Sequence, residues 1–348
     1  MRRPAATIPH SRPSITEADV ERVAAVVRSG QLAQGPEVAA LERELATRLG
    51  RPDAAAVSSG TTALELALRA LDVKAGDEVL IPSYVCDALY HAVARCGARA
   101  VLVDADPETL SLSAKDAAAR ATARTRAVIV PHAFGRAVDL APFADLGVPV
   151  VEDCAQALGV DVAGPPAGVL TVCSFHATKM VAAGEGGAVL GPGALVARVR
   201  DARDYDERTE LVPRTNAKLT DMQAALARSQ LARLDAFVAR RRAIATRYRE
   251  RLAGLDCRLP AGADRQHVYH RFVVGVDRDL DALQAALAAR GIITRRPVFR
   301  PGHRALGLHG YPEADHLWST ALSIPCYPAL ADAEVEQVAD ALLAAVRP

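Results

Sequence analysis

Lysine is scarce in this chain of 348 residues. Only Lys74, Lys115, Lys179 and Lys218 occur among its 42 basic residues, and all the others are arginines. Arginine carries positive charge as well as lysine does, but its guanidinium stays protonated and cannot condense with an aldehyde, whereas a desolvated lysine amine can. We therefore expect a lysine that survives in this background to have a chemical role.

Three further absences narrow the function. The formal net charge is only +1, which gives no electrostatic reason to expect binding to nucleic acid or to an anionic membrane. No uncharged apolar run reaches the ~18 residues that a membrane span needs. The six cysteines form no CxxC pair and no cluster with histidine at zinc spacing, so we expect reduced thiols and no metal site. Together these features predict a cytoplasmic protein that acts on a small, roughly neutral metabolite.

An alternation of two kinds of segment predicts the fold class. From residue 54 to about residue 190, short β-branched runs alternate with stretches rich in alanine and leucine. The runs cover residues 78–82, 100–104, 127–131 and 148–153, and each ends in a polar residue or a proline. Apolar strands separated by helices indicate an α/β fold with a parallel sheet covered on both faces, which binds ligands at the carboxyl ends of its strands.

The last third of the chain has a different pattern. Apolar residues at helical spacing predict one long linking helix over residues 217–253, with Arg240, Arg241 and Arg242 on its solvated face. Later strand-like and helical segments predict a smaller α+β unit. Since one core rarely grows beyond ~250–300 residues, we predict a large domain over residues 1–240, with an N-terminal arm, and a small domain over residues 241–348.

Lys179 and Asp153 have settings that suit the same chemistry. Lys179 lies between two apolar runs and beside a glycine-rich turn, residues 184–187, where a lysine that forms a Schiff base is expected. Asp153 ends an apolar strand 26 residues earlier. Taken alone, Asp153 is more typical of the N-cap of a short helix. Paired with Lys179, a carboxylate at a buried strand end also suits a pyridinium nitrogen, which it keeps protonated.

Residues 58–68 form a glycine-containing loop that opens an amphipathic helix. Thr62 and Glu65 have the spacing of a capping box, which is the structural interpretation. Free N–H groups and the positive end of the helix dipole also make such a helix start suitable for a phosphate group. The two interpretations are compatible.

Several segments, in one order along the chain, resemble those of a known family. The segments are SGTTAL at 59–64, GDEVLIPSY at 76–84, VD at 103–104, HAFG at 132–135, EDCAQA at 152–157, SF at 174–175 with Lys179 and GEGG at 184–187, and NAKLTDMQAA at 216–225. The chain thereby resembles the sugar aminotransferases of the DegT/DnrJ/EryC1/StrS family, fold-type I enzymes that depend on pyridoxal 5′-phosphate (PLP). The resemblance extends over nearly the whole chain. It implies a fold of the aspartate aminotransferase type, with a mixed, mainly parallel sheet in the large domain.

The resemblance implies a role for individual residues around the cofactor. Lys179 would be the catalytic residue and would form the internal aldimine, and Asp153 would bind the pyridine nitrogen. Gln156 would contact the phenolic oxygen of the ring. The phosphate would be held by Gly60, Thr61 and Ser174. Asn216 would reach the phosphate of the cofactor in a neighbouring subunit, with Lys218 beside it, so the active unit would be a homodimer with shared active sites.

Some positions depart from the family pattern. Cys86 stands where many relatives place an aromatic residue over the cofactor ring, so ring stacking is either lost or replaced by contact with a thiol, which can pack on a ring. Arg214 replaces a usual glycine two residues before Asn216, which affects the expected shape of that loop. Residues 298–303 keep only the final histidine, His303, of a family motif near the substrate mouth. His176 could contact the substrate or be structural, whereas His132 is expected to be structural.

These expectations combine into a predicted function. The protein would be a PLP-dependent aminotransferase that works by ping-pong half-reactions, cycling the cofactor between PLP and pyridoxamine phosphate (PMP). Glutamate or glutamine would donate the amine to a keto sugar, for which a nucleotide-linked form is favoured, or to a keto-cyclitol. Two alternatives stay open: a PMP-dependent sugar dehydratase, which is expected to carry histidine in place of Lys179, and a non-catalytic regulatory or binding protein of the same fold.

Overall fold

The computed structural model describes residues 7–160, 168–260 and 264–346. Its strands are β1 (Asp53–Val57), β2 (Glu78–Pro82), β3 (Arg99–Val103), β4 (Thr125–Pro131), β5 (Val150–Asp153), β6 (Leu170–Ser174), β7 (Gly187–Gly191), β8 (Phe272–Gly275) and β9 (Ala321–Ile324). Its helices are α1 (Glu17–Ser29), α2 (Pro36–Arg48), α3 (Gly60–Ala70), α4 (Ala88–Arg95), α5 (Ala114–Arg120), α6 (Ala141–Ala144), α7 (Gly193–Ala202), α8 (Asp221–Leu231), α9 (Leu234–Arg251), α10 (Leu280–Ala288), α11 (Gly302–Ala305), α12 (Pro312–Thr320) and α13 (Asp332–Val346).

Seven strands form one sheet in the order β1-β7-β6-β5-β4-β2-β3. β7 runs antiparallel to both of its neighbours, and the other adjacent strands are parallel. The α/β prediction with a mixed, mainly parallel sheet is therefore confirmed. Parallel strands place their carboxyl ends at one edge, so the segments that follow β2, β4, β5 and β6 meet there.

Helices cover both faces of this sheet because its strands are apolar on both faces. In β1, Ala55 and Val57 belong to a core cluster with α3, α4 and α7, whereas Ala54 and Ala56 belong to one with α2 and α8. Successive side chains of a strand point to opposite faces. The run of small apolar residues in β1 thus matches a strand buried on both sides.

A second core lies in the C-terminal part of the chain. β8 and β9 form an antiparallel pair, which packs with α10, α13 and the later part of α9. Ile8, from the segment before α1, is buried in the same core and pairs with Ile292 in a parallel bridge. The segment around Ile8 is therefore attached to the C-terminal core. The domain boundary at residues 240 and 241 stays a prediction.

The long linking helix predicted over residues 217–253 is wrong. α8 and α9 are separate helices, and Arg233 lies between them. Arg233 donates to the carbonyl of Ser14 and to the carboxylate of Asp19. α8 contacts α1 and α2, whereas α9 contacts α13. Because α8 and α9 pack against different helices, the chain changes direction between them and does not form one continuous helix.

The arginine run on α9 is also not a solvated face. Arg241 is buried and donates to the carbonyls of Tyr269, His270 and Cys326. A buried guanidinium with carbonyl partners keeps its hydrogen bonds but has no counter-charge. Burial lowers the pKa of Arg241 below its usual value.

In the described ranges, no helix is long and apolar enough to cross a membrane.

Candidate active site

A cavity of about 390 Å³ opens at the carboxyl edge of the large sheet. Its walls come from the loops that follow β1, β2, β4, β5 and β6 and from the segment before β8. Seven of the residues predicted from the sequence line it: Gly60, Thr61, Cys86, Asp153, Gln156, Ser174 and Lys179. Asn216 does not, and it is exposed elsewhere on the same subunit.

Lys179 lies in the loop that returns the chain from β6 to β7. The loop folds back on itself, since Ala177 N–H donates to the carbonyl of Gly184 and Ala183 N–H donates to that of Phe175. Gly184 has φ +79° and so provides the left-handed turn. The Lys179 side chain is partly exposed to the cavity. Burial is the largest cause that lowers the pKa of its amine below 10.5, while the charge of Asp153 acts against it.

Asp153 is a buried carboxylate at the end of β5. The N–H of Ala155 donates to its Oδ1 at 2.9 Å, and the residues that follow form turns rather than the expected short helix. Burial raises the pKa of Asp153 above 3.8, while the hydrogen bond from Ala155 and the charge of Lys179 oppose that rise. Burial thus favours the uncharged form of both Asp153 and Lys179, so the cavity suits a ligand that carries its own counter-charges.

A buried polar network surrounds Glu152, the residue directly before Asp153 in β5. Glu152 accepts hydrogen bonds from Arg51 at 2.8 Å, from Thr171 at 2.8 Å and from the Nε2 of His132 at 2.9 Å. Val138 N–H donates to Nδ1 of His132, so Nε2 carries the proton. Burial alone would raise the pKa of Glu152, but its bonds to His132 and Thr171 and the charge of Arg51 lower it to about 2. Both ring nitrogens of His132, which lines the cavity, are thus engaged by protein groups, and its structural role stays a prediction.

The start of α3 lies against Ser174 and forms a cradle. Ser59 is the N-cap, and its side chain accepts from the N–H of Thr62. The capping box expected from Thr62 and Glu65 is thus wrong, because the helix begins at Gly60. A Cβ at Gly60 would lie 2.8 Å from Cβ and 2.9 Å from Oγ of Ser174. This close approach leaves the first N–H groups of α3 beside the Ser174 hydroxyl, a suitable site for a phosphate.

Gln156 and Cys86 complete the inner wall. Oε1 of Gln156 accepts from the N–H of Phe134 at 2.9 Å, which leaves its NH₂ group to donate into the cavity. Cys86 is a free, exposed thiol on the cavity wall. Tyr84, two residues earlier, is buried and packs edge-on against Phe134. The aromatic residue of this loop therefore belongs to the core, and Cys86 presents only its thiol.

The mouth is formed by the segment before α11. Pro297 and Val298 line the cavity, whereas Phe299 is 92% exposed. His303 is buried outside the cavity, where Nδ1 lies 2.7 Å from Oγ of Ser83 and Nε2 lies 3.1 Å from Asp315. His303 therefore holds the loop that carries Cys86 and does not face the cavity.

The segment before α8 is held by charged side chains. Arg214 donates to Asp201 and to the carbonyl of Glu210, so it fixes the loop where relatives have glycine. Lys218 pairs with Asp204 at 2.8 Å and Asp206 at 2.5 Å. Asn216, between these two anchors, is exposed to solvent in the single chain.

Sequence reasoning missed two basic groups at this site. Arg271 precedes β8 and lines the cavity, and His10, from the segment before α1, lies against it. No motif in the sequence singles out Arg271, and the available signal is a charged residue directly before an apolar strand. His176, left open above, also lines the cavity, with Nδ1 3.0 Å from the hydroxyl of Thr178.

Two other features do not make a second site. A depression of about 660 Å³ lies at the opposite, amino-terminal edge of β2 and β3, where Arg99 and Arg124 both pair with Glu78. The ligand atoms of His132, Glu152 and Cys154 lie within 4.8 Å of one another. Both nitrogens of His132 are already engaged by protein groups, so this cluster lacks a free imidazole ligand.

Similarity to known proteins agrees with this geometry. The profile of the DegT/DnrJ/EryC1/StrS aminotransferase family matches residues 13–343. The chain belongs to this family. The protein is thus an aminotransferase, and its fold is that of fold-type I.

Three relatives illustrate the match. UDP-N-acetyl-3-dehydro-alpha-D-glucosamine 3-aminotransferase from Acidithiobacillus ferrooxidans is 35% identical over 323 residues, which are 88% of this chain and 87% of that protein. DesV from S. venezuelae, solved in complex with a ketimine intermediate, is 33% identical with a TM-score of 0.90, covering 98% of this chain and 100% of that chain. A protein from Streptococcus pneumoniae, solved in its PLP form, is 25% identical with a TM-score of 0.91, covering 98% of both chains.

Proposed function

We propose that this aminotransferase uses PLP to move an amino group from glutamate or glutamine to the keto group of a nucleotide-linked sugar. The observation that carries the proposal is the joint placement of Lys179 and Asp153 on the wall of one cavity. The 35% identical relative, whose name specifies a UDP-linked keto sugar, supports this substrate class. A keto-cyclitol is the second acceptor class to be tested.

The residues present fit PLP. Asp153 keeps one carboxylate oxygen without a hydrogen-bond donor among the described residues, which suits a protonated ring nitrogen. Gly60 leaves space beside Ser174 that a Cβ would fill, which suits a phosphate on the N–H groups of α3. Gln156 offers a donor for a ring oxygen. The Lys179 amine makes no ion pair within the part of the chain described, so it is available for covalent attachment of the cofactor.

The chain's own residues would divide the work. When bound, PLP supplies the aldehyde that accepts the amine and the ring that takes up the electron pair released at Cα of the donor. Lys179, once free, would take the proton from Cα of the donor and deliver it to the carbon that carried the aldehyde (C4′), since its lowered pKa increases the neutral fraction of its amine. Asp153 would keep its negative charge opposite the ring nitrogen. Such acid–base catalysis contributes roughly 10²–10⁴-fold to the rate.

We also propose that the active unit is a homodimer in which Asn216 serves the partner's site. Asn216 lies outside the cavity of its own subunit, on an exposed segment anchored by Arg214 and Lys218. Leu211, in the same segment, is fully exposed. Val212 is exposed as well, and neighbouring exposed apolar residues are typical of a surface that contacts another protein.

Lys179 also distinguishes between the alternatives. The dehydratase hypothesis requires a histidine at this position, and the chain has lysine. The regulatory hypothesis requires no intact cofactor site, whereas seven of the predicted residues line a single cavity. Transamination is therefore the function that the geometry supports best.

An absorption spectrum of the purified protein with PLP tests the proposal. We expect a visible band from PLP bound at Lys179, and its conversion to a near-ultraviolet band when L-glutamate or L-glutamine is added. A nucleotide-linked keto sugar should then restore the visible band, and a keto-cyclitol should not. Lys179→Ala is the matched control and should lack the starting band. A protein that binds no PLP would contradict the aminotransferase mechanism and favour the regulatory alternative.

A further inference from the structure

Arg271 is a basic group in the cavity wall that has no acidic partner. Its Nε is buried without a hydrogen-bond acceptor, and no carboxylate of the described residues pairs with its guanidinium. Burial is the largest cause that lowers its pKa, and the charge of Arg241 acts in the same direction. An arginine withdrawn from water without a counter-charge is unfavourable on its own. Such a group is typical of a site that a ligand completes.

His10 holds Arg271 in place without neutralising it. Nη1 of Arg271 lies 3.1 Å from Nε2 and 3.2 Å from Nδ1 of His10, and Nε2 of His10 lies 2.9 Å from Oγ of Ser323. A guanidinium only donates, so His10 has to accept with an unprotonated nitrogen. Burial first, and then the charges of Arg271 and Arg295, lower the pKa of His10 to about 3. His10 is therefore neutral near pH 7, and Arg271 keeps its full positive charge.

The other groups around Arg271 also leave that charge uncompensated. Arg271 interacts electrostatically with three basic residues, Lys179, His270 and Arg241. It also interacts with Cys86 and Tyr84, neither of which is a carboxylate. Asp153 and Glu185 are the carboxylates that line the same cavity. Asp153 is paired with the ring nitrogen in the proposed function, and Glu185 is exposed and lies near His176.

We propose that Arg271, held by His10, binds the α-carboxylate of the amino donor. The inference rests on the proposed function, because it assigns a residue to the donor of that reaction. Arginine presents two parallel N–H groups that match a carboxylate. His10 is a positioning residue, since it acts on the donor through Arg271.

The location favours the donor carboxylate over the two other anions of the reaction. The charge of Arg271 reaches the Lys179 amine and affects its pKa. The Cα of the donor has to react beside that amine, and its carboxylate is bonded directly to Cα. The cofactor phosphate has its own donors at the start of α3 and at Ser174. A nucleotide is many bonds away from the reacting keto carbon and would extend towards the mouth at Val298 and Phe299.

The test compares two donors in holoenzyme carrying Arg271→Gln. In the wild type, L-glutamate should convert the visible band far faster than its α-amide, isoglutamine. Arg271→Gln should lower kcat/KM for L-glutamate by roughly 10- to 100-fold and leave the rate with isoglutamine nearly unchanged, so discrimination is lost. If glutamine proves to be the donor, the same comparison is made between L-glutamine and its α-amide instead of between L-glutamate and isoglutamine. Arg271→Lys should recover part of the rate. Arg290→Gln, at an exposed residue that follows α10, is the control for loss of one positive charge.

Equilibrium binding separates the possible anions. Calorimetry of the holoenzyme should show weaker binding of glutarate to Arg271→Gln, with the affinity for UDP and the retention of PLP unchanged. A loss of UDP or PLP affinity without a loss for glutarate would overturn the assignment to the donor. If Arg271→Gln lowered the rates with L-glutamate and isoglutamine by the same factor, Arg271 would have only a structural role. If wild-type protein is converted by neither amino acid, the proposed function fails, and the glutarate titration still decides whether Arg271 binds a carboxylate.

His10 offers an independent test of the charge argument. His10→Gln keeps a neutral acceptor beside Arg271 and should change kcat/KM for L-glutamate by less than about threefold. His10→Asp places a carboxylate there and should lower it by a factor similar to that of Arg271→Gln. Both variants should show the same change in melting temperature on adding PLP as the wild type. Equal effects of the Gln and Asp variants would contradict a role of His10 in preserving the charge of Arg271.

Discussion

At the scale of single residues, position identifies the reactive lysine better than rarity does. Lys74 and Lys115 are exposed, so survival in an arginine-rich chain does not require a chemical role. Lys218 is held by two aspartates. Lys179 differs because its amine faces the cavity with a pKa lowered by burial. The apolar flanks of Lys179 in the sequence, rather than the scarcity of lysine, were the informative signal.

Lys179→Ala should abolish transamination while the fold persists. The variant loses both the attachment of the cofactor and the group that moves the proton at Cα, so we expect a loss of at least roughly 10²-fold in turnover. Steady-state amination of a keto sugar measures it, and circular dichroism confirms the fold. Lys115→Ala is the control, since its side chain is exposed. Unimpaired turnover by Lys179→Ala would rule out the mechanism.

At the scale of the elements, the start of α3 depends on a glycine. Gly60→Ala would place a methyl group 2.8 Å from Cβ of Ser174, and overpacking of this kind costs about 1–3 kcal/mol. Because the helix start carries the proposed phosphate site, PLP affinity should fall by roughly 10- to 100-fold. Titration of the apoprotein with PLP measures this.

Gly193→Ala is the matched control for that prediction. Gly193 also begins a helix, α7, and no atom lies within 4 Å of the position that its Cβ would take. Both substitutions raise helix propensity by a similar amount, so the contact with Ser174 is the difference between them. Equal PLP affinities in the two variants would refute the close-approach argument.

The hydrogen-bonded network around Glu152 in β5 should make the free energy of unfolding depend on pH in the acid range. The folded state lowers the pKa of Glu152 from 4.5 to about 2, so the unfolded chain binds more protons between these values. The stabilisation, on the order of 3 kcal/mol, is therefore complete above about pH 4.5 and is lost as the pH falls towards 2. Urea unfolding of Glu152→Gln at several pH values should show a deficit at pH 7 that shrinks on acidification.

The exposed Glu17 provides the control for this series. Glu17→Gln removes one carboxylate at the start of α1 and should change the free energy of unfolding by only a few tenths of a kcal/mol. A deficit for Glu152→Gln that stays constant from pH 7 to about pH 3 would show that loss of packing, and not loss of charge, explains the effect.

The sequence predicted the strands well because each is a short apolar run with a clear end. Residues 78–82 are predicted and observed as β2, and Asp153 ends β5 as expected. The break between α8 and α9 was not predictable, because it depends on Arg233 meeting Ser14 and Asp19 far along the chain. The same applies to Arg271 and His10, which are 261 positions apart. Local sequence patterns are enough to predict individual strands, whereas contacts between residues far apart in the sequence can be seen only in the folded structure.

At the scale of the whole molecule, the two cores meet around the cavity. Ser83, at the end of β2, binds the backbone of Gly302 and the side chain of His303. Arg271 N–H donates to the carbonyl of Phe134, which follows β4. The C-terminal part of the chain therefore supplies Arg271 and the mouth segment, and the loop that follows β6 and the end of β5 supply Lys179 and Asp153. A site assembled in this way depends on the relative position of both cores.

The homodimer predicts that two inactive variants restore each other. If Asn216 serves the partner's site, a dimer of one Lys179→Ala chain and one Asn216→Ala chain contains one site with both native residues. Random mixing should therefore recover about one quarter of wild-type activity, because half of the dimers are mixed and each has one intact site. Co-refolding or co-expression with two affinity tags, followed by the amination assay, measures this recovery. Lys179→Ala mixed with Asp153→Asn is the control and should recover nothing, because both residues line the cavity of one chain. Absence of recovery in the first mixture, with mixed dimers isolated, would place Asn216 outside the partner's site.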